Sequence, residues 1–527
     1  MNKLIKFRSV AILLLALLAL PFNSCTDLEP EIFSDLTSEN FPRGSGDIIA
    51  SVASTYTRLY PLQNHGGFWS SIEVASDEIM IPQRGSDWFD GGIWLRQHRH
   101  QYLPTEGHLN GAWLFLYQGV LQANNTIKLV NSAGSAEFLT TEEIALYDAE
   151  MRSLRALFYY WLTDAFGDVP LITGDEPEVA REPTQNSREE IYNFVISELE
   201  AVAGALPNEK STDTYARFNY AANQALLSRI YLNSEVLTGT PRYEEAARAA
   251  DNVINTSLFE LTDDYFENFV PGNNNGFAST TENILVIPYD QVTATGFNTV
   301  QMTNHYSARE VFNLQEQPWN GYCTLQEFYE SYDEDDLRRG TPGETQGPGN
   351  FLVGALRRPN GDIATDDSAE GTDPDGDEIF HTPEVNELEP NALRQAGARV
   401  KKFQFEQGAA SSMNNDFPIL RYSEVLMNKA EALYRRNNGD GMALMLVNQI
   451  RDRAGLDDFD SLNDANLLAE RGREHFYEGQ RRSDLIRFGQ YNRAWFAKPV
   501  SDATKNVFPI PQPQINANRN LMQNPGY

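Results

Sequence analysis

The stretch that decides the fold reads Phe218-Asn-Tyr-Ala-Ala-Asn-Gln-Ala-Leu-Leu-Ser-Arg-Ile-Tyr-Leu232, and Tyr243-Glu-Glu-Ala-Ala-Arg-Ala-Ala-Asp-Asn-Val-Ile254 follows it. The pattern of both is helical, and their alanines let the two helices pack closely. The same design returns as Tyr422-Ser-Glu-Val-Leu-Met-Asn-Lys-Ala-Glu-Ala-Leu-Tyr434 before Gly441-Met-Ala-Leu-Met-Leu-Val-Asn-Gln-Ile-Arg451. Such helix pairs are typical of tetratricopeptide-like repeats, which need neighbours to bury their apolar faces, and about four pairs are predicted.

Two irregular regions interrupt this helical pattern. Residues 260–400 are rich in Asn, Gly, Asp and Pro, with short strand-like pieces such as Ile284-Leu-Val-Ile287 and Arg399-Val-Lys-Lys-Phe403. The other region covers roughly residues 65–111, and loops this long inside a helical scaffold are usually functional or disordered. The sequence therefore predicts a mainly α fold, a tetratricopeptide-like helical repeat scaffold with long irregular loops and a few short strands.

The N-terminus has the features of an export signal. Three cations in residues 1–8 precede an apolar run at 10–20, which is too short to span a bilayer as a helix. Cys25 follows the small residue Ser24, as at a site where a lipoprotein is cleaved and acylated. We expect residues 1–24 to be a lipoprotein signal peptide, Cys25 to be lipidated and residues 25–46 to form a flexible tether. The alternative is an ordinary secretory signal with a free Cys25.

Composition narrows the partners. The chain carries 42 Lys plus Arg against 74 Asp plus Glu, a formal charge of -32. This excess would repel a phosphate backbone, which argues against nucleic acid as a partner. The only cysteines are Cys25 and Cys323, so acylation of Cys25 would leave no intramolecular disulfide.

Catalytic signatures are absent from the sequence. It contains no G-x-S-x-G elbow, P-loop, H-E-x-x-H or paired C-x-x-C motif. A glycosidase pair of carboxylates has no fixed sequence spacing, so a surface glycosidase stays an alternative. His98, His100 and His108 lie among arginines that oppose a metal ion, and we expect them to have surface or hydrogen-bonding roles. No cofactor is required.

One acidic turn could bind calcium. Asp373, Asp375 and Asp377 alternate around a glycine, an arrangement of oxygen donors that Ca²⁺ favours. The segment lacks the bidentate glutamate that closes the calcium loop of an EF-hand. A solvated acidic turn is the favoured interpretation, and a structural calcium is the alternative.

Aromatic residues in the irregular regions are the candidate ligand site. Exposed flat rings are costly unless a ligand covers them, and the apolar faces of sugar rings stack on them. Asp87, Arg84 and Asn320 would complete the hydrogen bonding. The alternative is that the rings fill the core beneath the loops, which we prefer for Trp69 and Trp113. The aromatic candidates are Trp88, Trp94, Trp319, Tyr289 and Tyr306.

Several further segments carry a family resemblance. They are Arg155-Ala-Leu-Phe-Tyr-Tyr-Trp-Leu162, Phe166-Gly-Asp-Val-Pro170, Phe417-Pro-Ile-Leu-Arg-Tyr-Ser-Glu424, Glu470-Arg-Gly-Arg-Glu474, Glu478-Gly-Gln-Arg-Arg-Ser-Asp484, Phe508-Pro-Ile-Pro511 and Asn524-Pro-Gly-Tyr527. Through them the sequence resembles, over essentially its whole length, the SusD/RagB family of surface glycan-binding lipoproteins of Bacteroidota. Most are scaffold residues, and packing, capping or buried ion pairing explains each of them individually.

The resemblance implies one SusD-like domain over residues 47–527, with an N-terminal helical part (47–259), a loop-rich middle (260–400) and a C-terminal helical part (401–527). It implies no enzymatic activity and a lid-like position over a SusC-like TonB-dependent outer-membrane transporter, with the lipid anchor on the extracellular side of the outer membrane. Trp88 or Trp94 and Trp319 fall where an arc of aromatics in relatives stacks on oligosaccharide, and Tyr289 and Tyr306 are looser candidates.

The preferred hypothesis is a non-catalytic protein that captures a glycan at the cell surface and delivers it to the transporter. Capture of peptides or another non-glycan nutrient by the same scaffold is the first alternative, since tetratricopeptide grooves commonly bind chain segments. The second alternative is the surface glycosidase.

Overall fold

The computed structural model of the chain describes residues 41–174, 182–273, 277, 280–366 and 378–527. The predicted signal peptide, Cys25 and most of the tether lie outside these residues. The same holds for Asp373, Asp375 and Asp377 of the predicted calcium turn. These assignments stay predictions.

Helices account for most of the regular structure, and several of them begin at a capping side chain. Thr140 and Glu143 form a reciprocal capping box at one helix start, and Ser187 and Glu190 form another. The described α-helices are α1 (Ser45–Tyr56), α2 (Phe68–Val74), α3 (Ile93–His98), α4 (Gly107–Val130), α5 (Thr141–Phe166), α6 (Arg188–Val202), α7 (Tyr220–Leu232), α8 (Ser234–Thr238), α9 (Tyr243–Ile254), α10 (Thr299–Thr303), α11 (Ala308–Val311), α12 (Gln326–Tyr329), α13 (Tyr422–Arg436), α14 (Gly441–Arg453), α15 (Asp464–Glu474), α16 (Arg481–Arg487) and α17 (Gln512–Ala517). Short 3₁₀ helices cover Thr57–Gln63, Asp90–Gly92, Ser135–Glu137, Ala203–Ala205, Tyr265–Asn268 and Ala503–Asn506.

The predicted helix pairs pack against one another. Helix α7 packs on α9, α9 packs on α13, and α13 packs on α14, while α4, α5 and α6 form a consecutive stack. The alanines at the α7–α9 crossing are buried, and Ser228 Oγ donates to the carbonyl of Ala246 at 3.1 Å, which records a close approach of the two helices. The prediction of a mainly α, tetratricopeptide-like scaffold is confirmed.

The strands are short and pair across long sequence separations. Strand β4 pairs antiparallel with β10, with Phe417 opposite Ile287 and Arg421 opposite Asn283. The strands are β1 (Ile79–Met80), β2 (Val169–Pro170), β3 (Gln185–Asn186), β4 (Asn283–Ile287), β5 (Cys323–Thr324), β6 (Phe351–Leu352), β7 (Gly354–Ala355), β8 (Phe380–His381), β9 (Arg399–Val400) and β10 (Phe417–Arg421). The remaining antiparallel pairs are β1–β5, β2–β3, β6–β9 and β7–β8.

A cluster of buried ion pairs joins the middle region to the C-terminal helices. Arg421, at the end of β10, contacts Glu282, Glu474 at 3.0 Å and Glu478 at 2.7 Å. Burial alone would raise the pKa of Glu474, but the neighbouring arginines, Arg453 first, hold it well below its ordinary value. We call this cluster the charged core, and its members are Glu282, Arg338, Arg421, Arg453, Glu470, Glu474 and Glu478.

Residues Gly44–Tyr527 form one compact unit. Within the described part of the chain, none of the helices combines the length and the apolar character needed to cross a membrane.

Candidate ligand-binding site

An open pocket lies where the two irregular regions meet. Its volume is about 540 Å³, within the range of small-molecule sites. One wall comes from the first irregular region and the other from the loop before β5. We call it the aromatic pocket, and its lining residues are His65, Asp87, Trp88, Asp90, Tyr306, Gln317, Pro318 and Trp319.

The two tryptophans of the pocket are fixed to each other. Trp88 Nε1 donates to the carbonyl of Trp319 at 2.6 Å, and both side chains are half-buried. Trp88 has a backbone φ of 62°, a left-handed conformation that is unfavourable for a bulky residue. The Trp88 ring packs against Gly321, where a Cβ would lie 2.3 Å from Cζ2 of the ring. A strained backbone and a neighbouring glycine thus hold the ring at the pocket wall.

His65 lies at the centre of the aromatic rings. Its centroid is 5.2 Å from that of Trp88 and 5.8 Å from that of Trp319, and both contacts are edge-to-face. The Nδ1 atom lies 2.9 Å from the hydroxyl oxygen of Tyr322. Burial lowers the pKa of His65 to about 4, against the opposing effect of Asp90, so the imidazole is uncharged at neutral pH.

Two carboxylates of the pocket are each bonded to an aromatic donor. The Tyr306 hydroxyl donates to Oδ2 of Asp87, and Trp94 Nε1 donates to Oδ2 of Asp90 at 3.1 Å. Burial, followed by the hydrogen bond to Asp87, raises the pKa of Tyr306, which keeps the phenol a donor. Each bond uses one oxygen of its carboxylate, so the pocket presents fixed acceptors for ligand hydroxyl groups.

The structure brings together Trp88, Trp319, Tyr306 and Asp87 of the candidates from sequence. Their contact with a ligand stays a prediction. Sequence reasoning missed His65 and Gly321, because their roles arise from ring contacts across the fold. The only signal for His65 was its place at the start of the first irregular region.

The other four candidates from the sequence are buried within the protein. Trp94 and Tyr289 are each 1% exposed, and Tyr289 donates its hydroxyl to the carbonyl of Tyr60 at 3.0 Å. Arg84 is buried and donates to the carbonyls of Asn320 and Ala396, both at 2.9 Å. Asn320 is also buried. The protein itself covers these four side chains in this structure, so it does not present them to a ligand as the sequence predicted, and their contact with a ligand stays a prediction.

Arg84, Asn320 and Trp94 instead adjoin the residues that line the pocket, whereas Tyr289 packs against Tyr60 and Phe297. The amide of Asn320 donates to the carbonyl of Arg394 at 3.0 Å, and its backbone φ of 55° turns the chain directly after Trp319. Trp94 holds Asp90, and its ring centroid lies 5.2 Å from that of His65. Arg84 joins the first irregular region to the middle region of the chain through its hydrogen bonds to the carbonyls of Asn320 and Ala396.

The histidines and the remaining tryptophans have structural roles. His98 Nε2 lies 2.7 Å from the carbonyl of Phe496, and His100 Nε2 lies 2.9 Å from that of Ala75, in keeping with the expected hydrogen bonding. Trp69 and Trp113 are buried in the core, as expected. Among the residues the structure describes, no cluster of three or more His, Cys, Asp or Glu side chains could hold a metal ion.

Two family profiles and several known proteins are similar to this chain in sequence. The profile of the SusD family matches residues 394–527, and a family described as starch-binding and associating with the outer membrane matches residues 35–232. The chain is 26% identical over 424 residues to the starch-binding protein SusD of Bacteroides thetaiotaomicron, covering 74% of each protein. It is 24% identical over 547 residues to SusD-like protein P2 of Formosa agariphila, covering 97% of this chain and 98% of that protein.

Solved structures share the fold. A SusD superfamily protein from Parabacteroides distasonis superimposes with a TM-score of 0.72 at 22% identity, covering 94% of this chain and all of that one. Surface glycan-binding protein A from Bacteroides thetaiotaomicron, in complex with laminarihexaose, gives a TM-score of 0.71 at 22% identity, covering 91% of this chain and 99% of that one. The two profile matches, which together cover more than half of the sequence, and the likeness to the two sequence relatives identify the chain as a member of the SusD/RagB family.

Proposed function

We propose that this chain is a non-catalytic cell-surface protein that captures oligosaccharide or polysaccharide in the aromatic pocket and delivers it to a SusC-like TonB-dependent transporter. One observation carries the proposal. Trp88 and Trp319, from different parts of the sequence, are hydrogen-bonded to each other at the wall of an open pocket that also holds two fixed carboxylates. Glycan binding by the relatives named above supports it.

The pocket suits weak, reversible binding of a sugar chain. Each indole can stack on the apolar face of a pyranose for about 1.5 kcal/mol, and Asp87 and Asp90 can accept hydroxyl hydrogen bonds. Two rings and a few hydrogen bonds correspond to affinities in the micromolar to millimolar range. Binding in that range lets the protein retain a glycan at the surface and still release it into a transporter.

Asp87 and Asp90 also favour one alternative, a surface glycosidase, because two carboxylates share the pocket. Hydrolysis needs one of the pair to be a protonated acid, a state that an apolar, desolvated site stabilises. Both residues are exposed in the structure. We therefore expect the purified protein to release no reducing ends from any glycan that it binds, and their release would establish the alternative.

Calorimetric titration against a panel of glycans tests the binding proposal. The wild-type protein should bind at least one glycan, and Trp88→Ala should weaken that binding about tenfold or more, because half of the stacking surface is lost. Phe138→Ala is the matched control. Phe138 is an aromatic residue with 40% of its surface exposed. It follows the C-terminal end of α4, a helix about 36 Å long. His108, at the N-terminal end of the same helix, packs on Trp94, so the pocket lies at the opposite end of the helix from Phe138.

Two results would contradict the binding proposal. The first is a wild-type protein that binds no glycan of the panel. The second is peptide binding that survives Trp88→Ala combined with Trp319→Ala, which would favour the alternative of peptide capture.

Delivery to a transporter is tested in the native membrane. Cross-linking of the full-length protein in cells, followed by purification, should recover a TonB-dependent transporter. Cys25→Ala should abolish lipid labelling of the protein. Failure to recover any transporter, or lipid labelling that persists in the Cys25→Ala protein, would contradict this part of the proposal.

A further inference from the structure

The charge of the aromatic pocket is one-sided. Among its lining residues, Asp87 and Asp90 are acidic, and none is Lys or Arg. His65 is uncharged at neutral pH because burial lowers its pKa to about 4. The formal charge of the whole chain, -32, adds a negative background. The pocket therefore favours ligands that carry no negative charge.

The cations near the pocket are engaged with groups of the protein, and the buried Arg84 donates to the carbonyls of Asn320 and Ala396. The Arg394 guanidinium lies 5.8 Å from the ring centroid of Tyr306, and it forms an ion pair with Asp366 at 3.2 Å. Arg96, close to Asp90 in the chain, pairs with Glu106 at 2.6 Å and donates to the carbonyl of Gly91. An anionic ligand would therefore have to compete with these protein groups for the charge of Arg84, Arg394 or Arg96.

The hydrogen-bonding groups favour ligand donors. Trp88 Nε1 already donates to the carbonyl of Trp319, and the Tyr306 hydroxyl already donates to Asp87. The free carboxylate oxygens of Asp87 and Asp90 accept only. A sugar hydroxyl or ammonium group can donate to them, whereas a sugar carboxylate or sulfate cannot and is repelled by the like charge.

We infer that the aromatic pocket selects sugars with neutral or amino groups and rejects uronic acid and sulfated glycans. This inference rests on the proposed glycan-binding function and assigns the charge class of its ligand. Like-charge repulsion at the pocket acts as the element that excludes acidic polysaccharides from uptake.

Paired probes of equal length test the inference. Laminarihexaose, maltohexaose, cellohexaose and xylohexaose form the neutral set, hexaglucosamine is the amino probe, and hexamers of mannuronate, guluronate and galacturonate form the acidic set. Each is titrated at about 0.02 M and 0.2 M salt, because repulsion from exposed carboxylates weakens as salt increases. We expect at least one neutral or amino probe to bind and every acidic probe to bind at least about tenfold more weakly.

Two double variants separate local charge from net charge. Asp87→Asn with Asp90→Asn keeps the shape of the pocket and should narrow the ratio between neutral and acidic affinities at least about threefold at low salt. Glu137→Gln with Glu142→Gln removes the same number of charges from the exposed surface beyond the far end of α4, and it should leave that ratio unchanged.

The outcomes distinguish the inference from the function on which it rests. An acidic hexamer that binds as tightly as the best neutral or amino probe overturns the inference and leaves glycan capture intact. Equal ratios in the wild type and the Asp87→Asn, Asp90→Asn variant also overturn it. Absence of binding to every probe overturns both the inference and the proposed function.

Discussion

The charged core and the aromatic pocket differ in how completely their polar groups are paired within the protein. In the charged core, Arg421 and its glutamates satisfy one another inside the protein, on regular strands and helices. In the aromatic pocket, Asp87 is exposed and accepts from the Tyr306 hydroxyl through only one of its two carboxylate oxygens. The neighbouring Trp88 ring is half-buried on a strained backbone, and part of its surface is open to solvent. A closed set of partners stabilises the scaffold, and an open set leaves contacts that a ligand can complete.

The largest expected effect on stability comes from removing a buried cation from the charged core. Arg421→Met should reduce the free energy of unfolding by about 3–5 kcal/mol, because Glu282, Glu474 and Glu478 would lose a buried partner. Arg436→Met is the control, since the side chain of Arg436 is 48% exposed and lies 3.9 Å from Glu244. That control should change stability by less than about 0.5 kcal/mol in the same urea titration. A loss below about 1 kcal/mol for Arg421→Met would show that the charged core is not essential.

A second test concerns the buried carboxyl group of Glu73, beside the charged core. Nearby hydrogen-bond donors and cations do not fully offset the cost of burying its charge. Burial raises the pKa of Glu73 to about 8, and Glu478 adds to the effect against the opposing Gly479 N–H and Lys402. A raised acid pKa means that folding retains a proton, so this contribution to stability is present below about pH 4.5 and is lost as the pH rises through about 8.

Glu73→Gln should therefore gain stability relative to the wild type as the pH rises. The expected gain is about 4 kcal/mol between pH 5 and pH 9, measured by chemical denaturation of both proteins at each pH. The glutamine can still accept from the backbone N–H of Gly479, which lies 2.7 Å from Oε1 of Glu73. Parallel pH profiles for the two proteins would show that Glu73 is charged in the folded state at neutral pH.

The support of the Trp88 ring can be removed without changing a residue that is proposed to contact the ligand. Gly321→Ala should weaken glycan binding about tenfold, because the new Cβ would overlap the Trp88 ring and displace it. In a Trp88→Ala background the same change should cost nothing further, as a double-mutant cycle would show. Gly111→Ala is the control, since its Cβ would meet no atom within 4 Å. Additive effects of Gly321→Ala and Trp88→Ala would contradict the proposed support of the ring.

The smallest expected effect is that of pH on binding. Because burial lowers the pKa of His65 to about 4, glycan affinity should change less than about twofold between pH 6 and pH 8. Calorimetry in two buffers of different ionisation enthalpy should also detect no proton uptake on binding. A binding transition near pH 6.5 would show that His65 titrates as an ordinary exposed histidine.

The scaffold could be predicted because its signals are local. The alanine-rich pairs 218–254 and 422–451 specify close helix crossings within a short stretch of sequence, and the structure has α7 with α9 and α13 with α14 there. The charged core was foreseen only as possible ion pairing in segments such as 470–474. Four of its other members lie outside this segment in sequence, at positions 282, 338, 421 and 453.

The candidate site could be predicted only in part. Composition selected Trp88 and Trp94 equally, yet Trp94 lies on α3 against His65 and His108, and its burial depends on loops that no local pattern specifies. The support of Trp88 by Gly321 likewise joins residues that are far apart in sequence. Side-chain exposure on long loops is a property of tertiary packing, so sequence reasoning could name the aromatics and could not sort them.

A crystal structure of the protein with the hexasaccharide that binds best in the titrations tests the central claim most directly. The account predicts pyranose rings within about 4 Å of the Trp88 and Trp319 indoles, with sugar hydroxyls within about 3 Å of the Asp87 or Asp90 carboxylate. A sugar bound elsewhere on the molecule, with the aromatic pocket empty, would contradict it.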